Sequence, residues 1–131
     1  MNIEVTQTPY ALLGGEVGVR NLVHRFYELM NELPEAYVVR LMHPESLAGS
    51  ENSLFEYLSG WFGGPSLYIA KKGHPRLRMR HANYVVGPVV RDEWMLCMTR
   101  ALTEQVTDTT FRARLIEMFS QMADHMINAE R

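Results

Sequence analysis

The sequence predicts an all-α protein. Apolar residues recur every three or four positions in four separate stretches. Prolines and paired glycines fall between those stretches or at their edges. No segment alternates apolar and polar residues as a half-buried strand would; residues 82–90 come nearest, and Gly87 and Pro88 interrupt them.

The elements follow in order. Thr8 is a candidate N-cap, Pro9 suits a first helical position, and Gly14 can close a very short helix in left-handed geometry. From Val17 to Met30 the residues Val19, Leu22, Val23, Phe26, Tyr27 and Met30 make one broad apolar stripe, with Glu16, Arg20, Arg25 and Glu28 facing away. Pro34 begins a shorter helical piece through Arg40. His43 precedes Pro44 and so leaves helical geometry, and Ser46 to Gly49 reads as loop. A helix then starts at Ser50 or next to it, carrying Leu54, Tyr57, Leu58, Trp61 and Phe62, and Gly63-Gly64-Pro65 stops it. One or two further turns fit Ser66 to Lys72. After a loop over Asn83 to Gly87, Pro88 opens a long helix. It sets Val90, Trp94, Cys97, Met98, Ala101 and Leu102 inward and Arg91, Asp92, Glu93 and Arg100 outward. Thr107 to Thr110 is a break rich in capping residues. The last helix aligns Phe111, Leu115, Met118, Phe119, Met122, Ala123 and Met126, and Asp124-His125 reads as its exposed end.

The most unusual segment is Gly73-His74-Pro75-Arg76-Leu77-Arg78-Met79-Arg80-His81. Neutral imidazole is the commonest metal ligand a protein supplies, and it is the axial ligand of haem iron in globins. The two histidines stand 7 residues apart. They are therefore not the pair, three or four residues apart, that chelates zinc from one helix face. A short helix starting at Pro75 would place His81 about two turns on, as a single axial ligand, with His74 in support. Each residue also has a plainer role: His81 as an ordinary histidine, Tyr27 and Trp94 as core aromatics, the arginines as a solvated face.

Composition bounds the rest. The 131 residues, 47% apolar, suit one domain over 1–131. A net charge of −2 argues against a nucleic-acid partner. No apolar run is long enough to span a membrane, and no basic cluster precedes an apolar leader. Cys97 is the only cysteine, which excludes an internal disulfide and suits a reducing cytoplasm. Without Cys-x-x-Cys-His, a haem here is not covalently attached. Nine methionines fit an irregular core and the lining of a large planar ligand equally well. Ser59, Ser120 and Cys97 have no nucleophile motif around them, and Gly14-Gly15 and Gly63-Gly64 lack the lysine and strand of a phosphate loop.

The order of features resembles the group II truncated haemoglobins. The matching pieces are Leu13-Gly14-Gly15, Arg25-Phe26-Tyr27, His43-Pro44 with Leu47-Ala48-Gly49, and Leu58 through Pro65. They continue with Gly73 through Ala82, Arg91-Asp92-Glu93-Trp94 and Cys97-Met98. The resemblance implies a globin-like, truncated two-over-two helical sandwich around non-covalent haem b. It places the proximal iron ligand on His81 and the distal residues on Tyr27, Trp94 and His43. The usual distal histidine position falls on Ser50, and Leu54 lies over the iron. Phe26, Tyr57, Leu58, Leu77 and Met98 complete the pocket. Asn83-Tyr84 stands where the family often has Pro-Phe.

The resemblance and elementary chemistry then converge. A five-coordinate iron leaves one position for O2, NO, CO or peroxide. The Tyr27 hydroxyl and the Trp94 indole N–H are donors with apolar bodies, suited to stabilising dioxygen in a dry pocket and to acting as the catalytic pair if turnover occurs. Arg80 is the best partner for the haem propionates, with Arg76 next. Three functions compete: oxygen binding for storage, delivery or sensing; nitric oxide dioxygenase or peroxidase chemistry with an external reductase; and a haem-free helical interaction module. His43 or Tyr27 as sixth ligand, and monomer or homodimer, are left open by the residues.

Overall fold

A computed structural model describes residues 7–73 and 86–127. They form seven α-helices and no strand among the described residues. Helix α1, Pro9–Leu13, begins as its sequence dictates: the Thr8 hydroxyl accepts the Ala11 N–H at 3.1 Å, and Gly14 closes it at φ 106°. Helix α2, Gly15–Glu32, buries the whole predicted stripe and Leu29 besides. A 3-10 turn, Pro34–Ala36, leads into α3, Tyr37–Leu41. Helix α4, Ala48–Trp61, starts earlier than the expected Ser50; Ala48 and Gly49, read from the sequence as loop, are already helical. The Ser46 hydroxyl accepts the Ala48 N–H at 3.4 Å, a local alternative to a cap at Ser50. Helix α5 spans Leu67–Lys72, α6 Pro88–Gln105 and α7 Thr109–His125. Asp108 caps α7 by accepting the Phe111 N–H at 2.9 Å. The proposed helix from Pro75, with His74 and His81, lies outside the described residues.

Two helix pairs make the body. Helix α2 packs on α4, α6 packs on α7, and α2 crosses onto α6, while α3 rests against α6. The pairs meet over an aromatic cluster. Phe62 and Trp61 from the end of α4 lie 5.7 and 5.1 Å from the Phe119 ring of α7, and Trp94 of α6 lies 5.8 Å from the same ring. Phe26, Phe55, Phe62 and Phe119 are almost wholly excluded from water. Each contributes roughly 2–3 kcal/mol by removing apolar area from solvent. Helix α4 is therefore two-sided: Phe55 and Leu58 enter this core, whereas Leu54, Tyr57 and Trp61 are half-buried. No helix among the described residues is long and apolar enough to cross a membrane.

Candidate functional site

The half-buried side of α4 faces a cavity of about 300 Å³, walled also by α2, α3, α6 and α7. Six residues singled out from the sequence line it: Tyr27, His43, Ser50, Leu54, Tyr57 and Trp94. They come from four separate parts of the chain, so the fold is what assembles them. Phe26, Leu58 and Met98 do not line this cavity; all three are wholly buried in the core behind it. Phe26 backs the site directly, its ring 4.8 Å from Tyr27 and 4.9 Å from Trp94. His81, Leu77, Arg76 and Arg80 lie outside the described residues.

Tyr27 reaches the cavity because it sits one residue round from Phe26, at the edge of the α2 stripe. Only 6% of it meets solvent. Burial, with the nearby Glu51 carboxylate, holds its phenol far above the ordinary range, so it stays protonated and able to donate. Its hydroxyl bonds to no other described residue, and neither does the Trp94 indole N–H. Two donors thus stand unused on a wall made largely of Leu54, Val39, Val86, Val90 and methionine side chains. Neither donor atom is among the sealed, unpartnered polar atoms of the described residues, so both are open to the cavity, and two unused donors on an apolar wall mark a ligand position.

His43 is oriented from behind. A carbonyl oxygen only accepts, so His43 Nδ1 donates to the Val39 carbonyl, at 2.9 Å. The neutral ring then carries its lone pair on Nε2, and its face meets Tyr27 edge-on at 5.8 Å. The Val39 N–H in turn donates to Glu93 at 2.8 Å. Glu93 therefore points inward, against the outward position its helical spacing predicts.

Arg91 also departs from the outward, solvated placement expected of it, while Asp124 stays exposed at the helix end as expected. Arg91 is only 21% exposed in its side chain and lines the cavity; its guanidinium donates to Asp124 at 2.7 Å and to the Ser120 hydroxyl at 2.6 Å. This joins α6 to α7 beside the site. Met42, Ser53, Tyr68, Val86, Val90, Met122, Ala123 and Met126 complete the wall without having been singled out for it. The three from the last helix and its end were legible as an apolar stripe, but periodicity does not distinguish core from cavity wall.

No group of three histidine, cysteine or acidic side chains among the described residues would hold a metal ion directly. A metal carried inside a planar cofactor needs only one axial imidazole from the protein.

Comparison with known proteins gives the family and the fold. The bacterial-like globin family model matches residues 8–128. A group 2 truncated haemoglobin of Bacillus subtilis (strain 168), YjbI, is 30% identical over 92% of this chain and 88% of its own. The group II 2-on-2 haemoglobin of Agrobacterium tumefaciens superposes with a TM-score of 0.93 at 45% identity, covering 99% of this chain and all of that one. The cold-adapted truncated haemoglobin of Pseudoalteromonas haloplanktis TAC125 gives the same TM-score at 43% identity over 95% of this chain and all of that one.

Proposed function

Because the chain belongs to the bacterial-like globins, among their group 2 truncated haemoglobins, we propose that it holds non-covalent haem b through His81 and binds dioxygen and other diatomic ligands. One observation carries the reading: two unpaired, non-ionising donors, Tyr27 and Trp94, on the wall of a largely apolar cavity. The wall suits the face of a porphyrin, with Leu54, Val90 and Met122 offering apolar contact. Arg80 and Arg76 are assigned to those propionates on sequence grounds, and Leu77 to the proximal wall. When bound, haem supplies the iron at which the diatomic ligand is held.

The chain's own residues set how long that ligand stays. Tyr27 and Trp94 each offer a neutral hydrogen bond of about 1 kcal/mol, so together they slow release by roughly tenfold or more. Both remain donors at any physiological pH, the phenol because of its burial and the indole because it has no acceptor. Phe26 and Phe119 pack against the Trp94 ring and hold it in place. His43, with Nδ1 donating to Val39, is held beside Tyr27 and is an alternative sixth ligand that the sequence offers.

The use we assign is oxygen and nitric-oxide chemistry. Dioxygen, nitric oxide and one electron combine to nitrate, and this chain has no flavin or nicotinamide motif to supply the electron. Repeated turnover therefore needs an external reductase. The test is an absorption spectrum of the ferric, ferrous and carbonmonoxy forms of protein made with ample haem. We expect globin bands that are lost in His81→Gly; colourless protein, or bands untouched by that substitution, would overturn the assignment.

A further inference from the structure

Tyr27 forms part of the wall of a second cavity, about 260 Å³, on the outer side of α2. This cavity is the more polar of the two, though Leu47 and Tyr27 also line it. His24, Glu28 and Asn31 line it from α2, Glu51 from α4, and Arg40 and Glu45 close its far side. Arg40 is already committed, donating to Asn31 at 3.0 Å and to the carbonyls of Pro44 and Glu45. His24 is not merely near its carboxylates. Its Nδ1 lies 2.9 Å from Glu51 and its Nε2 lies 3.2 Å from Glu28.

Those two distances fix the chemistry. Ionised carboxylates only accept hydrogen bonds, so both ring nitrogens must donate, and only an imidazolium has two N–H groups. A neutral ring can keep one of the two bonds and must release the other. We propose that this cavity is the entrance by which small neutral ligands reach Tyr27, and that His24, bridging Glu28 and Glu51, is its latch. The latch ties α2 to α4 just outside the distal wall, next to Ser50. The carboxylates in the entrance favour neutral molecules over anions such as nitrite. The Glu51 and Glu28 partners raise the His24 pKa above its ordinary 6.5. The bridge is therefore intact below that raised value and opens as pH rises through it.

The inference rests on the haem assignment, and laser-flash rebinding of carbon monoxide to the haem-loaded protein separates the two. We expect the bimolecular rebinding rate of the unaltered protein to rise roughly threefold between about pH 6 and pH 9, the size expected for loss of an exposed ion pair. His24→Gln and Glu51→Gln should each rebind at the faster rate throughout and lose the pH dependence. A flat profile in the unaltered protein, or variants that follow its profile unchanged, would overturn the latch while leaving the haem assignment intact. Absence of any carbonmonoxy spectrum would overturn both. Glu51→Gln keeps the side-chain shape, so it serves should His24→Gln fold poorly.

Discussion

The Glu93 carboxylate accepts the backbone N–H of Val39 at 2.8 Å, and Val39 returns its carbonyl to His43. A single side chain on α6, next to Trp94, thereby fixes the short α3 and the imidazole that follows it. We expect Glu93→Ala to cost about 1–3 kcal/mol, since it strands a part-buried N–H. Glu93→Gln, which keeps an acceptor, should cost less than half of that. Urea denaturation measures both. Equal losses would show that the carboxylate acts through its charge rather than through Val39.

Trp94→Phe keeps the ring against Phe26 and Phe119 and removes only the donor. We expect dioxygen to leave roughly five- to tenfold faster, the worth of one buried hydrogen bond. Tyr27→Phe should act in the same direction. Stopped-flow displacement of dioxygen by carbon monoxide reads both rates. An unchanged rate in either variant would remove that residue from ligand stabilisation.

The α2 stripe, the Thr8 and Asp108 caps, and the proline starts at Pro9, Pro34 and Pro88 were legible from the sequence because each is a local signal. The positions of Glu93 and Arg91 were not. Helical spacing assigns a charged residue to the solvent side, and only tertiary placement reveals a partner such as the Val39 N–H or Ser120 that draws it inward. Of the site, Tyr27, Trp94, His43, Ser50, Leu54 and Tyr57 came from the resemblance, and the structure brings these six onto one cavity. Val39, Met42 and Tyr68 escaped notice because nothing in their local sequence distinguishes a cavity wall from core. The His24 bridge escaped for a similar reason: its partner Glu51 lies 27 residues away.

Alkaline pH should weaken the fold through its buried weak acids. Burial favours the neutral forms of Tyr27 and Tyr57 and pushes the Cys97 thiol from 9.0 up to about 11. The unfolded chain releases these protons near the ordinary values of 9.0 and 10.0, while the native protein retains them. Stability is therefore full below about pH 9 and falls above it, by up to about 1.4 kcal/mol per pH unit for each such group. Tyr27→Phe should make the decline above pH 10 shallower by about that slope. A decline of the same steepness would place the alkaline sensitivity elsewhere.

Gly18 offers the sharpest contest between local preference and packing. Within a helix, alanine is favoured over glycine by up to about 1 kcal/mol, and Gly18 stands at the end of the first turn of α2. Here a Cβ at position 18 would lie 1.8 Å from the Leu13 carbonyl oxygen and 2.5 Å from its carbon. The obstacle is backbone, held between α1 and the left-handed Gly14, so no side-chain rotation relieves it. The Gly18 carbonyl is also fixed, accepting the Gln105 amide at 2.7 Å and so anchoring α2 to the end of α6. We expect Gly18→Ala to destabilise by at least about 2 kcal/mol despite its better propensity, with the damage centred on α1. Thermal unfolding gives the magnitude, and hydrogen exchange at Leu12 and Gly14, whose N–H groups close α1, gives the location. An alanine variant as stable as the parent would mean that α1 is free to move away from α2, and that the close approach at Leu13 does not constrain the fold.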